Sequence, residues 1–253
     1  MKIVYDERFR NSEYAQDNAA LPGRMEAAMS LLAPGPWEVI APTPATVEQL
    51  RLAHAAGYVQ EVIQDAPRFA MASLAAGGAI LAGRLAHGGD PAFACVRPPG
   101  HHASRMGAWG HCTFSNLAVA LLVLRAEQRI ERAFVIDIDA HTGDGTKEVL
   151  ACWPGADIFN PFAATAAEYL ELVAARLAAL ERTDILAVSA GFDAYTLDVG
   201  HKLATPDFQR IGSLVREASR RLCRGRRFAV LEGGYYLPDL GANVRAFCEG
   251  FAE

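Results

Sequence analysis

Cysteine is sparse and badly placed for the work it usually does. The chain has five, Cys95, Cys112, Cys152, Cys223 and Cys248, an odd number with no C-x-x-C pair. That spacing suggests neither a zinc ribbon nor a disulfide framework, so a reducing cytoplasm is the expected compartment. Most of the thiols read as ordinary buried small residues. Positive charge is not in excess: 24 Lys and Arg against 29 Asp and Glu leave −5. This argues against a protein that lives on nucleic acid by bulk electrostatics and leaves a cationic small substrate open. No apolar run approaches the roughly 18 residues of a membrane helix. Asp6 interrupts the stretch that a signal peptide would be building from Met1, so neither membrane nor secretion is expected. No repeat, low-complexity tract or linker divides the 253 residues. With 51% hydrophobic and 21% charged residues, one domain over 1–253 with a sizeable core is expected.

What the sequence does have is alternation. Short apolar runs occur at Ile3-Val4-Tyr5, 37–40, 92–96, 133–136, 185–188 and 228–231, with a weaker one near Asp157-Ile158-Phe159. Ala/Leu-rich segments between them predict helices over about 24–33, 46–64, 68–87, 115–128, 165–182, 206–223 and 238–251. Thr46 and Thr205-Pro206-Asp207 read as helix starts. Strands that are apolar throughout and alternate with helices predict an α/β fold, a parallel β-sheet flanked by helices on both faces.

In such sheets ligands bind beyond the carboxyl ends of the strands. Four of these ends carry His, Asp or Tyr beside glycine: Arg97-Pro98-Pro99-Gly100-His101-His102, Asp137-Ile138-Asp139-Ala140-His141, Ser189-Ala190-Gly191-Phe192-Asp193 and Glu232-Gly233-Gly234-Tyr235-Tyr236. Side chains alternate along an extended segment, so Asp139 and His141 face one point. Asp193, at another strand end, can complete a three-ligand set with a position left open, as in catalytic zinc sites. An Asp/His/Asp set would also suit Fe2+ or Co2+. Read alone, D-x-D-x-H equally fits acids that merely cap the next helix or turn.

His101 and His102 are adjacent, and two charged imidazoles would repel, so each needs its own partner. Asp137 and Asp144 are available for that. One imidazole could take a proton from water and one could deliver a proton to a leaving amine; an isolated His-His would also fit two surface residues in a turn. Tyr235 is placed to donate a hydrogen bond to an oxyanion, although Tyr236 beside it shows that a packing role is equally readable. His54 and His87 fall in or at the end of predicted helices and read as surface or core residues; His201 could approach the mouth of the site. Ala187-Val188-Ser189-Ala190-Gly191 is a loose relative of the nucleophile elbow but lacks the first glycine and a following acid-and-His order. No phosphate loop occurs, since Gly143-Asp144-Gly145-Thr146-Lys147 puts an acid where phosphate would sit. The arginines from Arg216 to Arg227 read as a solvated face near a helix C-terminus rather than an anion patch.

Together these stretches resemble the histone deacetylase and acetylpolyamine amidohydrolase family, which shares its α/β fold with the arginases. The matches are Arg97–Ala103, Gly110-His111-Cys112-Thr113-Phe114-Ser115-Asn116, Asp137–Thr146, Ser189–Ala194 and Leu231–Tyr235, in the family's order, with a fainter likeness around Leu52-Ala53-His54 to Tyr58 and Ala75–Gly78. The resemblance implies a single deacetylase-like catalytic domain that hydrolyses an N-acetyl or N-acyl amine. It implies Zn2+ on Asp139, His141 and Asp193, tandem histidines His101 and His102 backed by Asp137 and Asp144, and Tyr235 as oxyanion donor. Gly110, His111, Gly233 and Gly234 would border the substrate. K+ beside the D-x-D-x-H strand is a further implication. Asp198 and Lys202–Phe208 look more like the acetylpolyamine branch, which favours a small cationic acyl-amine over an acyl-lysine peptide. The rival readings are a hydrolase of another small amide and a metal- or acyl-binding homologue with little turnover. Retention of His101, His102 and Tyr235 favours an enzyme, and an arginase-like two-metal site lacks its His-rich bridging ligands.

Three departures from the family pattern matter. Thr142 stands where a second His usually follows the ligand His. His111 replaces an aromatic of the acyl channel, making the channel more polar. The stretch between Asp144 and Ser189 is short, without the long loop that supplies a second channel aromatic. The pocket is therefore expected to be more open, or closed by something else, such as another subunit of a homo-oligomer.

Overall fold

The computed structural model describes residues 1–252. Its strands are β1 (Lys2–Val4), β2 (Glu38–Ile40), β3 (Ala92–Ala94), β4 (Ala133–Asp137), β5 (Ala156–Phe159), β6 (Ile185–Ala190) and β7 (Arg227–Leu231). They form one sheet in the order β2-β1-β3-β7-β6-β4-β5, with every pairing parallel. β3, β4, β6 and β7 are buried at every residue, while the edges β2 and β5 are partly exposed. Uniform apolarity in the inner strands is what burial on both faces demands. The weak run at Asp157–Phe159 is the edge strand β5.

The helices are α1 (Arg24–Ser30), α2 (Val47–Ala53), α3 (Ala56–Ile63), α4 (Ala66–Gly88), α5 (Asn116–Ala126), α6 (Asp144–Leu150), α7 (Ala166–Ala178), α8 (Thr205–Cys223) and α9 (Leu237–Ala252). α4 and α5 pack together; α7, α8, α9 and α1 form a second packed group. Phe192, just after β6, anchors that second group. Its ring lies 5.1 Å from Phe208 of α8 and 6.0 Å from Phe247 of α9.

Three expectations need correction. The helix expected over 46–64 is two, α2 and α3, because the chain turns extended at His54. The His54 ring is spent there, with Nδ1 2.7 Å from Ser104 O and Nε2 accepting from Ser115 N at 3.0 Å. Helix α6 lies outside the helix ranges expected from the sequence. And α4 is long and apolar enough to cross a membrane by length and composition, against the expectation of no such run; 72% of that window is buried inside the protein, which makes it a core helix.

Candidate active site

Register brings the four strand ends together. β3, β7, β6 and β4 are consecutive in the sheet. Asp137 lies opposite Ser189, and Ala190 opposite Leu231. The segments that follow, 95–102, 138–141, 191–193 and 232–235, therefore leave the sheet side by side at its carboxyl edge.

Asp139, His141 and Asp193 meet there. One ligand atom from each lies within 4.8 Å of the others. His141 Nδ1 is 3.0 Å from Asp139 Oδ1 and 3.1 Å from Asp193 Oδ2. Both carboxylates are buried, and the imidazole is about half exposed (49%) where it lines the cleft. Asp139 is further fixed by the Gly233 amide, which donates to Oδ2 at 2.9 Å, and Asp193 Oδ1 accepts from Ala140 N at 2.9 Å. Asp193 Oδ2 is buried, with no hydrogen-bond partner beyond its 3.1 Å pairing with His141. Burial, then the charge of Asp139, pushes the Asp193 carboxyl up to about 7. Burial also works to raise Asp139, but His101 and His141 outweigh it and hold that carboxyl below its usual range. The two carboxylates raise the His141 imidazole to about 10. Two buried carboxylates converging on a half-exposed imidazole are a donor set that a divalent cation would relieve. The approach of the loops is close enough to demand glycine. A Cβ at Gly191 would sit 2.3 Å from Asp139 Oδ2, and one at Gly233 2.6 Å from the same atom.

The tandem histidines find separate partners. His101 Nδ1 lies 3.1 Å from Asp137 Oδ2 and His102 Nδ1 lies 2.7 Å from Asp144 Oδ1. Their environments split them. Burial opposes charge on His101, but Asp139 and Asp137 overcome it and raise its pKa well above the ordinary value. Burial, then the neighbouring His101, lowers that of His102. One imidazole is thus held cationic and the other neutral.

Sequence reasoning gave Glu232 no role, yet it shapes this loop. It is fully buried, and its Oε2 accepts from Gly100 N at 2.7 Å and His101 N at 3.1 Å. Burial pushes its carboxyl up to about 7. Glu232, His101 and Cys112 form a second cluster of potential ligands. There, however, the Glu232 oxygens serve these amides and Ser189 Oγ, and Cys112 Sγ accepts from His102 N. The serine of the elbow-like stretch is accordingly a buried structural residue.

Tyr235 stands across the cleft. Arg24, fully buried, donates to Gly234 O at 2.9 Å and Glu232 O at 2.6 Å, and its guanidinium lies 5.6 Å from the Tyr235 ring centre. Asp198 Oδ2 accepts from Tyr235 N and Tyr236 N at 2.5 and 2.7 Å. Burial raises the Tyr235 phenol, so it stays protonated as a donor. Only a partner 210 positions away reveals Arg24; nothing near it in sequence marks it.

The cleft is a cavity of about 210 Å³ whose lining includes His101, His102, His141 and Tyr235. Gly110 and His111 line it too, with His111 Nδ1 3.7 Å from Asp17. Gly233 and Gly234 do not; they back the carboxylates and the tyrosine. Val199, not His201, reaches the mouth. Thr142 is exposed. A larger cavity, of about 450 Å³ and lined in part by Arg132 and Gly155, lies at the opposite end of the sheet, and one of about 610 Å³ beside Phe162 and α7 includes none of these residues.

Comparison with known proteins bears on this arrangement. The histone deacetylase domain profile matches residues 19–162 and 156–251, the two stretches meeting within the shortened region. The chain is 33% identical over 257 residues to a histone deacetylase-like amidohydrolase of Pseudomonas aeruginosa, covering 79% of this chain and 68% of that protein. It is 32% identical over 219 residues to the acetylpolyamine amidohydrolase of Burkholderia pseudomallei, covering 72% and 61%. The match to a chloroplastic histone deacetylase of Oryza sativa spans only 42% of that longer protein. The crystal structure of the HDA15 HD domain superposes with a TM-score of 0.85 at 25% identity, covering 99% of this chain and 90% of that one. By profile, relatives and fold together, the chain belongs to the histone deacetylase domain family.

Proposed function

We propose that this chain is a zinc-dependent amidohydrolase that releases a carboxylate, with acetate as the simplest case, from an N-acyl amine. An acetylated polyamine or related small cationic amide is the favoured substrate class, with acyl-lysine peptides second, and a reducing cytoplasm the favoured compartment. The observation that carries the reading is the convergence of buried Asp139 and Asp193 on His141, which lines the same cavity as His101, His102 and Tyr235. Relatives named as amidohydrolases and an acetylpolyamine amidohydrolase support the reaction class.

Asp139, His141 and Asp193 would hold the cation, zinc or, on the same donors, iron or cobalt; bound there, it would polarise the acyl carbonyl and acidify a water. His102 presents Nδ1–H to Asp144, which leaves Nε2 free to take a proton from the attacking water. The same nitrogen, or cationic His101 beside it, returns a proton to the departing amine as the C–N bond breaks. Tyr235 donates to the carbonyl oxygen as negative charge builds on it. Its phenol stays protonated, so it is available as a donor across the neutral range.

The test is turnover of a panel of acyl amines by metal-stripped and zinc-reconstituted protein. The panel holds acetyl-lysine peptides, acetylated polyamines and longer acyl chains. Zinc-dependent release of amine from at least one is expected. No release from any of them by fully loaded protein would overturn the reading.

A further inference from the structure

We propose that Trp109 both holds the His102–Asp144 pair and forms the aromatic wall of the substrate channel; this rests on the amidohydrolase reading above. The indole stacks on His102, ring centres 3.7 Å apart at 30°. Its Nε1–H donates to Asp144 Oδ2 at 2.8 Å, while the other oxygen of that carboxylate meets His102 Nδ1 at 2.7 Å. The three side chains close a ring of contacts.

The need for such a clamp is visible in the exposures. The Asp144 side chain is 53% exposed and that of His102 only 6%. A half-exposed carboxylate is free to turn and to hydrate. With one oxygen fixed by the indole, the other stays aimed at Nδ1, which fixes the imidazole tautomer and points Nε2 into the cavity. The stacked ring also keeps water off the imidazole face.

The second half of the role follows from what lines the cavity. His111 brings a polar ring to it, and Phe162 is 91% exposed and lines a different groove. Trp109 lines the catalytic cavity instead, together with Val199, and is 54% exposed there. An alkyl arm on the amine side of the substrate would lie across this indole.

Two variants separate the roles. Trp109→Phe keeps a ring and loses the N–H; Trp109→Ala loses both. On an acetylated diamine, Trp109→Phe is expected to lower kcat by about 10–100-fold, the usual cost of losing an orienting partner, with KM little changed. Trp109→Ala is expected to raise KM as well. In an Asp144→Ala background the Trp109→Phe change should have almost no further effect on kcat, because the indole acts through that carboxylate. Wild-type kcat in Trp109→Phe, or a full loss repeated in the Asp144→Ala background, would overturn the clamp. Unchanged KM in Trp109→Ala would overturn the wall. The indole N–H resonance, one of three with Trp37 and Trp153, reads the clamp without turnover. It should be protected from solvent exchange in the wild type and lose that protection in Asp144→Ala. If no acyl amine is hydrolysed but this protection is found, the amidohydrolase reading fails and the clamp stands. If Asp144→Ala leaves the resonance unchanged, the clamp fails whatever the activity.

Discussion

Tyr235→Phe is the substitution with the most sharply defined consequence. It removes one oxygen and keeps the ring. The edge contact with His111 at 5.5 Å and the Arg24 guanidinium at 5.6 Å both involve the ring, and the Asp198 bonds reach its backbone amide. Loss of fold stability should therefore stay within about 0.5 kcal/mol, the range of changes that touch no packing. The metal set is on other loops, so zinc content should not change. The lost donor acts where charge develops, in a cleft that the buried His101 and His102 also line. A donor of that kind is worth about 2.7–4 kcal/mol, or roughly 10²–10³ in kcat. The assay is kcat and KM on the best substrate of the panel, with metal content and thermal midpoint measured on the same samples. A variant at full rate with normal zinc would remove Tyr235 from the chemistry. A variant that loses zinc would show that the phenol serves the metal site.

Two further outcomes are expected. Arg24→Met should cost about 2–4 kcal/mol in urea unfolding and lower kcat, because two charged donors to Gly234 O and Glu232 O disappear from a buried site; a loss below about 0.5 kcal/mol would show that the turn before Tyr235 is held otherwise. Metal-free protein should lose thermal stability between pH 7 and 9, whereas zinc-loaded protein should not. The sign follows from His141, whose folded pKa is raised to about 10 by Asp139 and Asp193. The stability it contributes is fully present below its unfolded value, about 6.5, and is lost as pH rises toward the folded one. A metal-free melting temperature that is flat over that range would contradict the paired state of these groups.

The inner strands were legible because burial on both faces leaves an apolar run with no alternation, and the sequence around Phe134, Leu186 and Phe228 shows just that. The candidate ligands were legible for a related reason: polar residues that end such runs have few structural uses. What was hidden is tertiary. The break between α2 and α3 depends on His54 bridging Ser104 and Ser115, 50 and 61 positions away. Arg24 and Glu232 look like any surface charges until the fold buries them against backbone groups far along the chain. Helix α6 begins at Asp144 and carries Gly145 and Thr146, weak helix formers that pattern reading passes over. Trp109 precedes Gly110 in an irregular loop, where no periodicity marks a side chain as facing inward.

The central claim is that Asp139, His141 and Asp193 together grip one divalent cation. It is tested most directly by metal content after reconstitution and removal of loosely held ions, comparing the wild type with Asp193→Ala. About one equivalent of zinc per chain is expected in the wild type and almost none in the variant, since one of three ligands is gone. Equal zinc in the two proteins would contradict the account.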